Sequence, residues 1–264
     1  MTSIASAFES PRALIQRARE LIEDAAFKIK AFFDGRPYTR LVETDPFTGQ
    51  DVHKVRLTAT LPGNIRPIIK DAAGNLRDAL DHAVYACAVY LVGGEPDNTG
   101  FPFAGDAKGV EGELGSDRLR GNPLEIRPCL ASFQPYPAGN GLICGLNRIR
   151  NPNTHRVLVP VGSVAAVPQS YVKFALWGGG LGGGGGGGFR PGGRWDAIKN
   201  EIELVRVGRG TQINIEVTVA FSVSFGDVKI LAGREVIGTL LAIASEVERI
   251  VAAIEAETLR LKPG

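Results

Sequence analysis

The sequence predicts an α+β fold in which long amphipathic helices pack on one face of a predominantly antiparallel sheet. Three long segments carry apolar residues at three- and four-residue steps, the pattern of amphipathic helices. Other segments alternate apolar and polar residues, as strands with one buried face do. With 264 residues, 44% of them hydrophobic, the chain can bury a core without disulfides or metals. We expect a single α+β domain over residues 1–264.

Each of the three long helices is predicted from its apolar repeat and from the residues at its ends. The first is expected to begin at Ser10, whose hydroxyl would cap free backbone amides, and to end near residue 34. The second is expected over residues 64–92, where two glycines close it. The third repeats the apolar pattern over residues 231–261.

The strands are predicted from alternation and from the turn residues between them. Two segments, 38–43 and 52–61, flank the turn-rich string DPFTGQ and are expected to form a β-hairpin. The clearest strand is expected at 212–225, where apolar residues occupy every second position. The remaining elements are strands at 156–161, 171–176 and 201–207, which bring the sheet to about six strands, and short helices near 118–130 and at 142–150.

The second helix carries a polar stripe opposite its apolar side. Asp71, Asp78 and His82 fall within about 40° of arc when the helix is projected. Asp81 and Tyr85 flank this stripe. The residues expected in the core on the other side are Ile69, Leu76, Leu80, Ala83 and Cys87. The stripe therefore needs a polar neighbour wherever it is covered.

Charge and hydropathy exclude two classes of function. Since 30 Lys and Arg residues nearly balance 28 Asp and Glu residues, the net charge is only +2. The chain therefore lacks the global basic field of a dedicated duplex-DNA-binding protein. No apolar run approaches the roughly 18 residues of a membrane span, and the first residues do not resemble a signal peptide. We expect a cytoplasmic protein that does not contact a membrane.

Cysteine usage and short motifs exclude several familiar chemistries. The three cysteines include no CxxC pair, which indicates reduced thiols. The chain has no GxSxG, no HExxH and no GxGxxG between a strand and a helix, which disfavours most familiar hydrolases and dehydrogenases. We predict that the protein holds no cofactor.

A glycine-rich segment interrupts the predicted sheet. Ten of the eleven residues from 178 to 188 are glycine. Because glycine is the costliest residue to order, we predict a flexible loop over residues 178–193. A phosphate-binding P-loop would end in Gly-Lys-Ser/Thr, whereas Phe189 and Arg190 follow here. Two alternatives stay open: a plain flexible insertion, and a Gly/Arg/aromatic flap that contacts nucleic acid.

Each of the three histidines is a candidate for proton chemistry near neutral pH. His53 lies beside the hairpin turn and is expected at the surface. His82 follows Asp78 by one helical turn, so the carboxylate either orients the ring or forms a purely structural pair with it. A zinc site of His82, Asp78 and His155 is a further alternative. Without a second metal-type spacing, we predict no metal site.

The most distinctive string is LNRIRNPNTHR, which begins at Leu146 and contains Arg150, Asn151 and His155 in an R-N-x-x-x-H pattern. It resembles the motif of the HEPN superfamily, helical-bundle proteins many of which are metal-independent ribonucleases or nucleotide-binding toxins. The chain is also similar to uncharacterised bacterial proteins, through an L-R-x-A-L-D-H helix at residues 76–82 and an N-x-x-x-H-R segment. That second likeness implies no activity.

The HEPN resemblance implies attack of a ribose 2′-hydroxyl on the adjacent phosphate. His155 would move the proton as general acid or base, Arg150 would stabilise charge on the phosphate, and Asn151 would orient one of them. HEPN ribonucleases place such Arg/His pairs at a dimer interface, so the resemblance also implies a homodimer. Pro152 departs from the family pattern, because it interrupts the helix that carries the motif there.

Two classes of function follow. The first is a HEPN-like RNA- or nucleotide-acting protein of toxin or defence type, with Arg150, His155 and His82 as catalytic candidates. The second is a non-catalytic binding or assembly protein, in which the motif only turns a helix into a strand and His155 is satisfied by buried hydrogen bonds. The candidate binding residues are Asp78, Tyr85, Asn147, Asn151 and Arg156. The first class requires Arg150 and His155 both open to a cleft, whereas the second requires them buried and hydrogen-bonded. A meeting of the polar stripe with Arg150, His155 and Arg156 would favour the first.

Overall fold

The computed structural model of the protein describes residues 3–97, 99–150, 158–164, 195–211, 219–226 and 228–262. Helices and strands together make a mixed α+β fold, as the sequence predicts. The chain divides into two compact units, and the single domain expected over residues 1–264 stays a prediction. The helical unit comprises Met1–Lys28, Gly63–Leu158 and Ser224–Gly264, and the sheet unit comprises Ile29–Pro62 and Val159–Val223.

Seven α-helices lie among the described residues: α1 (Ile4–Ala7), α2 (Glu9–Asp34), α3 (Ile65–Val92), α4 (Ala107–Leu114), α5 (Arg127–Ser132), α6 (Gly141–Ile149) and α7 (Val236–Leu261). The three long helices and the short helix before residue 150 are confirmed. Two of these helices, α2 and α7, begin at residues other than those predicted. Helix α2 follows α1 directly, so Ser10 lies inside the helix and does not cap it. Helix α7 begins later than expected, where the Glu235 carboxylate accepts hydrogen bonds from the first backbone amides.

Helix α3 has the two faces that the sequence predicts. The five residues expected in the core, with Ile69 and Cys87 at the two ends of the series, are fully buried. The helix ends at Gly93, whose φ of 76° lies in the left-handed region that glycine adopts at no steric cost. None of the described helices is both long and apolar enough to cross a bilayer.

The core of the helical unit lies where α3, α6 and α7 pack against one another. Gly145 on α6 lies against the buried Leu231, and a Cβ atom at position 145 would come within 2.6 Å of the Leu231 Cγ. Gly139 is equally confined, because a Cβ there would lie 2.7 Å from the carbonyl oxygen of Gln134. Both positions therefore require glycine.

The connection between α3 and α6 is more helical than the sequence predicts. We expected one short helix near 118–130, and the region holds two 3-10 helices, Asp117–Leu119 and Leu124–Ile126, followed by α5. Helix α4 was missed because two of its eight residues are glycine, a poor helix former. The Asp106 carboxylate stabilises its beginning by accepting a hydrogen bond from the Gly109 amide at 2.8 Å.

Five strands lie in the described part of the chain, in two sheets. An antiparallel sheet contains β1 (Tyr38–Thr44), β2 (Asp51–Leu57) and β4 (Glu201–Val207) in the order β1-β2-β4. The other two strands, β3 (Leu158–Val164) and β5 (Val219–Phe225), pair with each other.

The hairpin and the strand at 201–207 are confirmed, although β2 ends at Leu57 rather than near residue 61. Strands β3 and β5 cover the described parts of the strands expected at 156–161 and 212–225. The strand expected at 171–176 and the glycine-rich segment 178–193 lie outside the described residues.

Phe221 on β5 is the centre of an aromatic cluster in the sheet unit. Its ring stacks on Tyr38 and on Phe33, with centroids 4.8 Å and 5.4 Å away. Trp195 meets the same ring edge-on, with centroids 6.1 Å apart. Because Phe33 belongs to the last turn of α2, that end of the helix packs against β5. The buried aliphatic residues beside the cluster are Val55, Ile202 and Leu204.

Glu201 is a buried carboxylate, 5% exposed, on the β1-β2-β4 sheet. It accepts hydrogen bonds from Lys54 Nζ and Arg56 Nε, both at 2.8 Å. Glu43 accepts from the same two cations, at 2.7 Å and 2.8 Å. We call these four side chains the sheet ion cluster. Burial raises the pKa of Glu201, but the hydrogen bonds from Lys54 and Arg56 outweigh it and leave the pKa below its ordinary value of 4.5.

The sheet ion cluster is expected to make folding stability sensitive to acid. Hydrogen bonds from Lys54 and Arg56 also lower the pKa of Glu43. A carboxylate with a depressed folded pKa stabilises the fold above its unfolded pKa, and this contribution is lost as the pH falls through the folded pKa. The loss therefore occurs below about pH 4.5. Urea unfolding should have a lower midpoint at about pH 3 than at about pH 7.

The Glu201→Gln variant tests whether the Glu201 carboxylate accounts for part of the loss of folding stability in acid. The variant should show a smaller difference between the two midpoints, because an amide does not titrate. Glu203→Gln, on the same strand but outside the sheet ion cluster, is the matched control with which the Glu201→Gln difference is compared. An unchanged pH dependence in Glu201→Gln would contradict the prediction.

Candidate functional site

The polar stripe of α3 borders a cleft of about 710 Å³ within the helical unit, which we call the stripe cleft. Four residues selected from the sequence line it: Asp78, His82 and Tyr85 from α3, and Arg150 from the end of α6. The other residues that line it include Ala7, Ser10, Asp81, Pro96, Asp97 and Thr99.

Arg150 forms an ion pair with Asp78 in the stripe cleft. Its Nη1 donates to Asp78 Oδ1 at 2.9 Å. Arg150 directly follows the last residue of α6, and α6 packs on α3, so the helix end carries the guanidinium to the stripe. The Arg150 side chain is 54% exposed and that of Asp78 is 40% exposed, so a ligand can reach the pair.

His82 is oriented by Ser10. The Ser10 Oγ and the His82 Nδ1 share a hydrogen bond of 2.8 Å, which joins α2 to α3. A hydroxyl both donates and accepts, so this bond is compatible with a neutral or a protonated ring. The bond occupies Nδ1, so the exposed imidazole can present Nε2 to a ligand. This role of Ser10 could not be predicted from the sequence, because the two residues are 72 positions apart and no local pattern pairs them.

Tyr85 and two further carboxylates complete the stripe cleft. Tyr85 lies one helical turn after Asp81, and its ring is exposed. Asp81 forms an ion pair with Arg77 and accepts a hydrogen bond from the Phe101 amide at 2.7 Å. Asp97 follows α3 in the chain and adds another negative charge to the lining. The cleft therefore presents cationic, anionic and aromatic groups together.

Asn147, a predicted binding residue, does not line the stripe cleft. Its Oδ1 accepts a hydrogen bond from Arg77 Nε at 3.3 Å, and it borders a separate hollow beside Arg148. Arg77 itself is 6% exposed, and its guanidinium lies 4.4 Å from the centre of the Phe103 ring. Arg77 therefore ties α3 to α6 and to the connection between them.

Three predicted site residues, Asn151, His155 and Arg156, lie outside the described residues, so their roles stay predictions. His53 was expected at the surface, but it is half-buried on β2 in the sheet unit. Its Nε2 is buried and has no hydrogen-bond partner in the described part of the chain. The position in the middle strand, rather than the nearby turn, decides its burial.

Metal and thiol chemistry have little support in the described residues. Among them, no group of three or more His, Cys, Asp or Glu side chains is arranged to hold a metal ion. Burial raises the pKa of the Cys129 and Cys144 thiols to about 11, and it also raises the pKa of Cys87. These thiols are protonated near neutral pH and are poor nucleophiles. The stripe cleft instead offers proton transfer at imidazole, anion binding at guanidinium and stacking on a phenol ring.

No protein-family model, curated protein or solved structure matches the chain. The likenesses to the HEPN superfamily and to uncharacterised bacterial proteins therefore stay expectations that rest on the motif residues.

Proposed function

We propose that the protein acts on RNA or a nucleotide, as a metal-independent ribonuclease of HEPN-like type. The observation that supports this most is that one cleft contains an oriented histidine, an accessible arginine and an exposed tyrosine. Asp78 and His82 lie one turn apart on α3, about 6 Å along the helix axis. Because Arg150 pairs with Asp78, Arg150 and His82 are suited to contact neighbouring groups of one ligand.

The proposed reaction is transesterification of the RNA backbone. A ribose 2′-oxygen attacks the adjacent phosphorus, and the bond from phosphorus to the 5′-oxygen breaks. The products are a 2′,3′-cyclic phosphate and a 5′-hydroxyl. His82 accepts the 2′-hydroxyl proton at Nε2, while Ser10 holds the ring at Nδ1. The leaving 5′-oxygen takes a proton from His155, which the motif implies as a general acid or base and which is assigned the acid role in this reaction.

Arg150 stabilises the negative charge on the reacting phosphate. A planar guanidinium donates to two phosphate oxygens at once. Exposed ion pairs contribute only about 0–1 kcal/mol, so the bond from Arg150 to Asp78 can be exchanged for one to phosphate at little cost. The exposed ring of Tyr85 supplies a surface on which an unpaired base stacks.

Cleavage of a labelled mixed RNA pool in the presence of EDTA tests the proposal. We expect the wild type to cut the RNA and His82→Ala to cut at least about a hundredfold more slowly, since general acid–base catalysis contributes about 10²–10⁴-fold. Arg150→Ala and His155→Ala should show losses of similar size. Arg209→Ala, which removes an exposed arginine of the sheet unit, is the matched control and should cut at the wild-type rate.

Circular dichroism and the Tm of each variant establish that it is folded. Sedimentation of the same samples reports whether the expected homodimer forms. Cutting that stops when EDTA is added would contradict a metal-independent reaction. Cutting that persists in a folded His82→Ala sample would contradict the role of His82.

A second candidate is a non-catalytic binding or assembly protein. The observation that favours it is that Arg150 and His82 already have partners within the chain, Asp78 and Ser10. Asp97 and Asp81 also make the lining of the stripe cleft unfavourable for a polyanion. A well-folded wild type that cuts no RNA would favour this candidate over the ribonuclease.

A further inference from the structure

We propose that the ligand is a single-stranded RNA of more than one nucleotide, whose next phosphate binds in a second hollow beside the stripe cleft. This inference rests on the proposed function, because the first phosphate is the one that Arg150 holds. It narrows the substrate class from RNA or a nucleotide to an oligonucleotide.

The second hollow adjoins the stripe cleft at the ion pair of Asp78 and Arg150, which lines both. It has a volume of about 500 Å³ and lies between α2 and α3. A ligand held at Arg150 therefore extends directly from one hollow into the other. We call this second site the basic hollow, and its other lining residues are Arg17, Leu21, Lys70, Asp71, Gly74 and Asn75.

The basic hollow is more favourable for an anion than the stripe cleft. Three cations, Arg17, Lys70 and Arg150, line it against the two carboxylates Asp71 and Asp78. In the stripe cleft, by contrast, carboxylates outnumber the arginine and the imidazole. A chain of phosphates is therefore best accommodated with one phosphate at Arg150 and the next in the basic hollow.

Two of these cations can contact a ligand without breaking a strong interaction. Arg17 pairs with Glu20 on the same helix, and both side chains are well exposed. Such a pair contributes little and exchanges readily for phosphate. Among the described carboxylates, none forms an ion pair with Lys70. The side chains of Arg17 and Lys70 can therefore each form an ion pair with a bound phosphate.

Gly74 leaves room for a ligand to approach α3 closely in the basic hollow. It lies within α3, a helix of 28 residues, where glycine is less favourable than alanine. A Cβ at position 74 would meet no atom within 4 Å, so packing in the described structure does not require glycine. The missing side chain leaves the wall of the basic hollow open one turn before Asp78. A sugar-phosphate backbone can approach the helix closely there.

Binding of a labelled single-stranded oligonucleotide with methylated 2′-hydroxyls tests the inference, since the proposed reaction cannot cut it. Fluorescence anisotropy over a range of salt gives the Kd, and a labelled mononucleotide serves for comparison. We expect the oligonucleotide to bind at least about tenfold more tightly. Lys70→Ala and Arg17→Ala should each weaken it about threefold or more and reduce the salt slope by about 0.7. Neither variant should change mononucleotide binding.

The Gly74→Ala variant separates ligand contact from folding. Because alanine is the better helix former, the Tm should rise by about 1–3 °C, while the oligonucleotide Kd rises at least about threefold. Gly112→Ala, on α4, is the matched control. Its Cβ would also meet nothing within 4 Å, so this variant should not change the Kd. Arg209→Ala controls for the loss of one exposed positive charge.

If the wild type, Lys70→Ala and Gly74→Ala bind the oligonucleotide with equal affinity, the proposal that the basic hollow binds a phosphate is overturned. Cutting of RNA by the wild type in EDTA would then leave the proposed function standing. If Lys70→Ala and Gly74→Ala bind the oligonucleotide more weakly but the wild type cuts no RNA, the basic hollow stands as a binding site. Only the proposed cleavage reaction is then overturned. A wild type that neither binds nor cuts would overturn both.

Discussion

Replacing Arg77 with methionine is expected to lower the free energy of unfolding by about 3–5 kcal/mol. The change leaves the partly buried Asp81 carboxylate without its counter-ion. It also removes the hydrogen bond to Asn147 and the guanidinium that lies over Phe103. Methionine keeps most of the side-chain volume, so the loss reports the polar contacts rather than a cavity. Urea unfolding followed by circular dichroism measures it.

Two further variants identify the cause of the Arg77→Met effect. Arg148→Met, on α6, is the matched control, because Arg148 is exposed and its loss should change stability by no more than about 0.5 kcal/mol. Adding Asp81→Asn to Arg77→Met should recover part of the loss, since an amide needs no counter-ion. If Arg77→Met lowers the free energy of unfolding by less than about 1 kcal/mol, the prediction that Arg77 stabilises the contact between α3 and α6 is contradicted.

Replacing Glu201 with alanine is expected to lower the free energy of unfolding by about 3 kcal/mol. Glu201 is the buried member of the sheet ion cluster, and it neutralises both Lys54 and Arg56. Without it, the largely buried Lys54 keeps only Glu43, which it shares with Arg56. The variant therefore leaves excess positive charge in a place with little access to water. The shift of the urea midpoint measures the loss.

Glu203→Ala, two residues away on β4, is the matched control for Glu201→Ala. Glu203 is half-exposed and pairs with Arg206 three residues later, and Arg206 keeps a second carboxylate partner in Asp45. Such a pair contributes no more than about 1 kcal/mol. A similar loss in both variants would show that burial gives Glu201 no special importance.

Elements with a long repeat could be predicted from the sequence. Helix α3 repeats its pattern over many turns, so both its buried side and the stripe of Asp78, His82 and Tyr85 follow from helix geometry. The β1-β2 hairpin was equally clear, because turn residues separate two strand patterns. Helix α4 was missed, because two of its eight residues are glycine, a poor helix former.

The partners of the site residues could not be predicted, because they depend on tertiary packing. Ser10 contacts His82 from 72 positions away, and Arg77 contacts Asn147 from 70 positions away. Local patterns assigned Ser10 to a helix cap and left Arg77 unassigned. Ser10 has the residue type of a cap, but it lies inside α2, where its hydroxyl shares a hydrogen bond with the imidazole of His82 instead.

The confinement of Gly139 and Gly145 has a consequence for recognising distant relatives of this protein. Any other residue at these positions would overlap Gln134 or Leu231, so descendants of a common ancestor that keep the helical unit are expected to keep both glycines. Exposed positions in the same region are free to diverge. Two glycines six positions apart, with buried Ile143 and Cys144 between them, therefore make a more discriminating search pattern than R-N-x-x-x-H.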